Sequence, residues 1–160
     1  MVTKYLNNLL TGGKSKMNYN ELKSLIIDWA NERELIKKEN SEKQYLKFLE
    51  EVGETAKALL KDDSAGVIDG FGDIAVTMII LGEQIGNSQE LSDTYKPIGF
   101  INLHDVVRRV GPEFVNPSAM NFLNDACFFY GLDLVKCLEV AWEEIKDRKG
   151  KTINGTFIKN

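Results

Sequence analysis

The spacing of apolar and polar residues predicts a chain made almost entirely of helices. Apolar residues recur every three or four positions in four amphipathic segments: residues 18 to about 38, 41–60, 119–130 and 133–149. Asn18 with Glu21 three residues later, and Ser41 with Gln44, are expected to cap the first two helices. We therefore expect an all-α fold with a core of four or five helices.

A fifth segment, Val67–Leu81, is apolar on every side, so we expect it to be a buried helix. Its only charges are Asp69 and Asp73, which lie on one helix face because they are four residues apart. Two buried carboxylates repel each other and are usually protonated, paired or bound to a cation. No Lys or Arg lies between them, so a bound cation is the best explanation of the pair.

The preceding helix brings two further acids, Glu51 and Glu54, which are three residues apart and share a face. A short antiparallel hairpin through the polar turn 61–64 would place them opposite the aspartates. Four oxygen ligands suit Mg²⁺, or alternatively Mn²⁺, better than zinc. In a plainer interpretation, the glutamates belong to a solvated face that they share with Lys47 and Lys57.

These residues resemble a known family. Glu-Glu-Val-Gly-Glu at 50–54, followed after a turn by Gly-Asp-Ile at 72–74, is similar to the MazG-like, all-α nucleoside triphosphate pyrophosphohydrolases. The family motif is Glu-x-x-Glu, then Glu-x-x-Asp. Glu51, Glu54 and Asp73 match it, whereas Gly70 stands where the third acid belongs and Asp69, one residue earlier, is expected to substitute. The resemblance covers roughly residues 18–86 and resumes more weakly from 118.

The resemblance implies Mg²⁺-dependent cleavage of a nucleoside triphosphate, expected to be a deoxynucleotide, into the monophosphate and pyrophosphate. It implies Glu51, Glu54, Asp69 and Asp73 as metal ligands. Glu50 and Glu51 are then the predicted catalytic acids, with Glu50 acting outside the metal shell or as a base. A bundle of the MazG-like type, completed by formation of a homodimer or homotetramer, is also implied.

Four predicted substrate contacts lie outside the acids. Lys146, Arg148 and Lys149 lie at the end of the last predicted helix, where cations stabilise any helix C-terminus. The resemblance implies that they contact the phosphates, because family members carry phosphate-binding basic residues after this helix. Trp29 is either a core side chain or a ring that contacts the nucleotide base.

Composition narrows the remaining function classes. The 160 residues suit one domain over 18–160, after a flexible lead at 1–17 and with an irregular excursion at 88–117. A net charge of −4 argues against a nucleic-acid polymer as partner. No apolar run is expected to be long enough to span a membrane, and the N-terminus lacks the apolar core of a secretory signal. The sequence therefore predicts a cytoplasmic protein. A non-catalytic helical interaction module, or a protein that senses nucleotide or metal, remains an alternative.

Overall fold

The computed structural model describes residues 15–160, and it confirms the all-α class, with 59% helix and 7% strand. The helices are α1 (Tyr19–Glu32), α2 (Ser41–Leu60), α3 (Ser64–Gln84), α4 (Leu103–Val107), α5 (Ala119–Phe129) and α6 (Leu134–Ile145). A short 3₁₀ helix, Lys38–Asn40, precedes α2, and an antiparallel hairpin of β1 (Gly150–Ile153) and β2 (Thr156–Lys159) follows α6. Most of the predicted N-terminal lead, 1–14, lies outside the described residues.

Helix α3 is the centre of the fold and packs against α1, α2, α5 and α6. Its apolar side chains are buried, as its composition predicts. A Cβ added at Gly72 would overlap the carbonyl oxygen of Cys137, so the glycine lets α6 approach α3 closely. The aspartates of α3 therefore lie between α2 on one side and α6 on the other.

By length and composition alone, α3 could cross a membrane, with a mean hydropathy of 1.6 over its best 18-residue window. The expectation that no apolar run approaches a membrane span was therefore wrong, because the apolar residues of α3 keep its mean hydropathy high despite the two aspartates. In the fold, 78% of that window is buried, which is typical of a core helix.

The predicted helix starts are partly confirmed. Asn18 and Glu21 form the expected capping box at the start of α1. Ser41 is already inside α2, and the side chain of Gln44 donates instead to the backbone oxygen of Thr77. Helix α1 ends at Glu32 rather than near residue 38, because Glu34 turns the chain with a φ of 56°.

The helical hairpin between α2 and α3 forms as expected. Asp62 adopts a φ of 53° in the turn, and the carboxylate of Asp63 accepts a hydrogen bond from the Gly66 backbone N–H to cap α3. This short connection holds the glutamate face of α2 beside the aspartate face of α3.

The end of the chain differs from the prediction. Helix α6 ends at Ile145, four residues earlier than expected, so the basic cluster lies in the connection to the hairpin. Asn154 and Gly155 form the turn of the hairpin, with φ values of 50° and 79° that suit a two-residue hairpin turn. The segment after it, Thr156–Lys159, pairs with residues 150–153.

The excursion at 88–117 is irregular apart from α4 and a single bridge between Val110 and Val115. Asp125 of α5 fixes part of it in place. Its fully buried carboxylate accepts hydrogen bonds from the Tyr95 hydroxyl and from the backbone N–H groups of Ile98 and Ile101, at 2.8–3.0 Å. Burial alone would raise the pKa of Asp125, but these hydrogen bonds outweigh it and hold the pKa below its ordinary value.

Candidate active site

A cavity of about 450 Å³ lies where α2, α3, the end of α6 and the C-terminal hairpin meet. Six of its lining side chains are carboxylates, which come from three helices: Glu50, Glu51 and Glu54 of α2, Asp69 and Asp73 of α3, and Glu144 of α6. All five acids predicted from the sequence thus line one cavity, in a volume suited to a small-molecule ligand.

Lys47 holds two of these acids. Its ammonium group lies 2.7 Å from Glu51 and 2.8 Å from Glu50, one turn further along α2. Glu51 is only 5% exposed, so this contact offsets the cost of burying its charge. Partial burial tends to lower the pKa of Lys47, but the hydrogen bonds and charges of the two glutamates outweigh it and raise that pKa.

Asp69 and Asp73 are partly buried, and neither makes a salt bridge with a Lys or Arg of residues 15–160. Burial raises the pKa of Asp69 to about 6, with further contributions from a hydrogen bond to Glu144 and from the charges of Glu144 and Glu51. Burial and the charges of Asp69, Glu51 and Glu144 raise the pKa of Asp73 to about 7. Arg148 opposes both shifts but is too weak to cancel them. Both shifts favour the protonated carboxyls, and a bound cation would favour the ionised ones.

Gly70 faces away from these acids, towards α2. A Cβ at this position would overlap the Oγ1 of Thr55 and lie 3.2 Å from the Thr55 Cα. The Thr55 hydroxyl in turn donates to the backbone oxygen of Glu51. Close packing of α2 on α3 thus leaves no room for a glutamate at 70, whereas Asp69 reaches the cavity.

Sequence reasoning missed Glu144. This acid helps to raise the pKa of Asp69 and forms a salt bridge with Arg148, four residues later. The signal was available, because a glutamate four residues before a predicted phosphate contact lies on the same helix face. Its position opposite Asp69, however, depends on how α6 crosses α3.

The chemistry of these side chains suits a divalent cation, because Mg²⁺ and Mn²⁺ prefer carboxylate oxygens as ligands. The raised pKa values of Asp69 and Asp73 are consistent with this, since a bound cation would stabilise their ionised forms. In the conformation described for residues 15–160, no group of three or more acidic, His or Cys side chains converges tightly enough to hold a metal. The salt bridges explain this arrangement, since Lys47 holds Glu51 and Arg148 holds Glu144. Metal binding would require these acids to turn from their basic partners towards the aspartates.

The cations that line the cavity are Lys43, Lys47, Arg148 and Lys159. Of the three predicted phosphate contacts, only Arg148 is among them. Lys146 instead contacts Glu143 at 2.6 Å, and Lys149 is exposed outside the lining. The early end of α6 accounts for this, because the residues that follow no longer continue its helical face. Lys43 and Lys159 were not predicted, and they form no salt bridge within residues 15–160.

Trp29 forms the apolar end of the cavity and is only 7% exposed. Its ring lies edge-on to Phe157 of the hairpin, with 5.2 Å between centroids, and under the guanidinium of Arg33 at 4.4 Å. Its Nε1 is buried and has no hydrogen-bond partner among the described residues. Both interpretations of Trp29 thus remain open, since it packs in the core and also lines the cavity.

Arg33 fixes the hairpin to this wall. Its Nη2 donates to the backbone oxygen of Arg148 at 2.7 Å, and its Nη1 donates to the backbone oxygen of Trp29 at 2.9 Å. The Thr152 hydroxyl donates to the backbone oxygen of Arg33 at 2.6 Å. Arg33 therefore joins the end of α1 to the segment after α6 through its side chain and to the hairpin through its backbone oxygen.

Comparison with known proteins adds one short similarity. The chain is 36% identical over 59 residues to a protein of Haemophilus phage HP1 (strain HP1c1), described as an uncharacterised 18.2 kDa protein in the rep-hol intergenic region. The match covers 37% of this chain, which spans about a third of the length of that relative. No family model and no solved structure matches the chain.

Proposed function

We propose that this protein is a Mg²⁺-dependent nucleoside triphosphate pyrophosphohydrolase, for which Mn²⁺ can replace Mg²⁺. One observation carries the proposal: six carboxylates from three helices line a single cavity, and the two on α3 have pKa values raised to about 6 and 7. Perturbed carboxylates in a cleft are typical of functional sites. The cations and the aromatic end of the same cavity suit a ligand with both phosphates and a ring.

In this proposal, Glu51, Glu54, Asp69 and Asp73 hold the metal, and Glu144 is available as a further acid. A bound Mg²⁺ supplies neutralisation of phosphate charge and lowers the pKa of a coordinated water. Asp69 and Asp73 lose their protons as the cation binds, because its charge favours the ionised carboxylates.

The reaction adds water to the α-phosphorus. A bond forms between the water oxygen and the α-phosphorus, the bond from that phosphorus to the bridging oxygen breaks, and pyrophosphate leaves with the bonding electrons. Glu50 lines the cavity and is half exposed, so we assign it the proton of the attacking water. Lys47 orients Glu50 through their contact, and it would release Glu51 to the metal.

The substrate would lie along the cavity with its phosphates towards the acids. Arg148 is retained as a phosphate contact, and Lys43 and Lys159 take the place first assigned to Lys146 and Lys149, because they line the cavity. The base, expected to be that of a deoxynucleotide, would lie at the Trp29 end, where the unpartnered Nε1 can donate a hydrogen bond.

The same proposal includes the MazG-like type of bundle, a cytoplasmic location and assembly as a homodimer or homotetramer. The antiparallel α2–α3 pair with acids on its facing sides supports the bundle type. Exposed leucines on α2 support assembly.

The test is pyrophosphate release from a panel of ribo- and deoxynucleoside triphosphates with Mg²⁺, with Mn²⁺ and with chelator. We expect metal-dependent release with the monophosphate as co-product. Asp93→Asn, which changes an exposed acid outside the cavity lining, is the matched control for Asp73→Asn. Absence of release from every nucleotide by a folded sample would contradict the proposal.

A second candidate is a nucleotide or metal sensor without turnover. The salt bridges that hold Glu51 and Glu144 away from a common centre favour it. A sensor would show a melting temperature that rises with metal or nucleotide concentration, without pyrophosphate release. A non-catalytic interaction module would show neither.

A further inference from the structure

Glu144 and Arg148 form an ion pair within the lining of the cavity. The Glu144 carboxylate comes from the last turn of α6, and the Arg148 guanidinium reaches it from four residues further along the chain. The side chain of Glu144 is 51% exposed and that of Arg148 is 28% exposed, so surrounding atoms do not lock the pair in place. Partly exposed ion pairs contribute little to stability, so each partner can be exchanged for a stronger one.

The main chain around this ion pair is fixed. The backbone oxygen of Arg148 accepts a hydrogen bond from the Nη2 of Arg33 at 2.7 Å, and its backbone N–H donates to the backbone oxygen of Ile145 at 2.9 Å. Glu144 lies in a helix that packs against α3. Rotation of the two side chains can therefore separate the pair without a movement of α6 or of the hairpin.

Glu144 supplies an acid where α3 cannot. Asp69 and Asp73 line the cavity from α3. A Cβ at residue 70 of this helix would overlap the Oγ1 of Thr55, so no further side chain fits there. Glu144 is near enough to Asp69 to help raise its pKa to about 6, after the larger effect of burial. A carboxylate from α6 therefore lies near the aspartates, in addition to the glutamates of α2.

We propose that Glu144 is a metal ligand of this site and that Arg148 holds it away from the metal until phosphate groups bind the guanidinium. The inference rests on the metal and phosphate binding of the proposed function, although not on turnover. In the empty cavity, Arg148 competes with the metal for Glu144, and Glu144 competes with the phosphates for Arg148. Each ligand therefore frees the group that the other ligand needs, and by linkage each raises the affinity of the site for the other by the same factor.

Arg148 differs in this respect from two other cations of the cavity lining. Lys43 and Lys159 form no salt bridge within residues 15–160, so phosphates that bind them release no acid. Lys159 is exposed and, like Arg148, contributes one positive charge to the lining. Replacement of Lys159 therefore changes the charge of the cavity without breaking an ion pair, which makes it the matched control for Arg148.

The first experiment measures the affinity of the full-length protein for Mn²⁺ by calorimetry, without nucleotide. We expect Arg148→Met to raise this affinity about 5-fold, because Glu144 then has no competing partner, and this factor is at the upper end for a partly exposed ion pair. Lys159→Met should raise it less than about 2-fold, because a charge that acts through solvent is screened by water and salt. Melting curves in chelator verify that each variant is folded. Equal gains from the two variants would show that net charge alone matters and would overturn the proposal.

A double variant separates the effect of the ion pair from that of charge. In a chain that already carries Glu144→Gln, Arg148→Met should no longer raise the affinity for Mn²⁺, because the acid that it would free is absent. If Arg148→Met gives the same gain in both backgrounds, Arg148 does not act through Glu144 and the proposal is wrong.

The phosphate half of the exchange is tested with inorganic tripolyphosphate in chelator. Glu144→Gln should strengthen its binding about 5-fold, because Arg148 is then free to bind phosphate. Glu54→Gln removes the same charge from the same lining, but Glu54 forms no salt bridge within residues 15–160. It should therefore strengthen binding less than about 2-fold. Equal effects of the two variants would contradict competition for Arg148.

These binding measurements are independent of pyrophosphate release. If both competitions are observed in a protein that releases no pyrophosphate, the inference stands and the proposed hydrolysis fails. If pyrophosphate is released but Arg148→Met leaves the affinity for Mn²⁺ unchanged, the proposed hydrolysis stands and the inference fails. Absence of Mn²⁺ binding by wild type and by every variant would also overturn the inference.

Discussion

Asp69 of α3 and Glu144 of α6 line the same cavity, and the nearby Glu144 helps to raise the pKa of Asp69 to about 6, after the larger effect of burial. Both effects favour the protonated form of Asp69, whereas a bound divalent cation would favour the ionised form. This opposition leads to the first prediction.

Stability without metal should fall as pH rises from about 4 to about 7. The pKa values of Asp69 and Asp73 are raised from 3.8 to about 6 and about 7, so the folded protein binds more protons than the unfolded chain across this range. The stabilising effect of these protons is complete near pH 4 and is lost above the folded-state pKa values.

Melting curves in chelator at pH 4.5 to 8 measure this effect. Asp73→Asn should gain in melting temperature relative to wild type as pH rises, and Mg²⁺ should narrow that gap by stabilising wild type. Parallel curves for the two proteins would show that Asp73 does not titrate in this range.

Asp73→Asn should lose metal-dependent pyrophosphate release by at least about 100-fold, which corresponds to about 2.7 kcal/mol of transition-state stabilisation. An amide cannot supply the anionic oxygen that the proposed metal site requires. The fold should be kept or stabilised, because the change removes repulsion from Asp69, Glu51 and Glu144. Near-normal turnover would show that the assignment of the site is wrong.

Gly70→Glu should destabilise the protein rather than restore the family motif. The new side chain would force α2 and α3 apart at Thr55, and overpacking of this kind costs roughly 1–3 kcal/mol or more. Urea denaturation provides the measurement, with Gly70→Ala as the milder variant.

Thr55→Ala is the matched suppressor. It removes the hydroxyl that the new Cβ would overlap, so Gly70→Ala/Thr55→Ala should be more stable than the sum of the single changes predicts. If the effects of the two single changes on unfolding free energy are additive, the strain at residue 70 does not come from contact with Thr55.

Asp125→Asn should cost roughly 2–4 kcal/mol of unfolding free energy, since the charge-assisted hydrogen bonds from Tyr95, Ile98 and Ile101 are lost or weakened in a fully buried setting. The lowered pKa of Asp125 means that its stabilising effect disappears as pH falls through that pKa. Denaturation at neutral pH, with amide exchange at residues 95–101, measures the cost. Unchanged exchange in that loop would contradict the anchoring role.

Arg33→Lys should loosen the hairpin and raise the KM of the proposed reaction about 10-fold while changing kcat little. A lysine cannot bond the backbone oxygens of Arg148 and Trp29 at once, so the cavity wall would lose its attachment. Amide exchange over 150–159 gives a readout independent of catalysis. Equal exchange in wild type and variant would show that Arg33 does not hold the hairpin.

The α2–α3 pair was predictable because its signals are local. Helical spacing placed Glu51 with Glu54 and Asp69 with Asp73, and the polar turn between the helices allowed only a tight hairpin. The role of Gly70 was not predictable from one sequence. A glycine that simply lacks the acid of the family motif cannot be told there from a glycine that is required by close packing of two helices.

The other side of the cavity depends on contacts between distant residues. Glu144 reaches the site only because α6 crosses α3 at Gly72, and Lys159 only because the chain turns back after residue 149. The Asn154-Gly155 turn was recognisable from its residue types. The strand before it begins with Gly150 and Lys151, which resemble the end of a helix, so the pairing of this strand with Thr156–Lys159 was missed.

The attachment of the hairpin through Arg33 also determines when the site exists during protein synthesis. Its hydrogen bonds to Arg148 and Thr152 join residues separated by 115 and 119 positions. Such contacts form late because they must close long loops. A ribosome will therefore have made α2 and α3, with all five predicted acids, well before the residues that complete the cavity emerge. We expect nascent chains to remain inactive until the hairpin docks, so that only the completely folded protein is active.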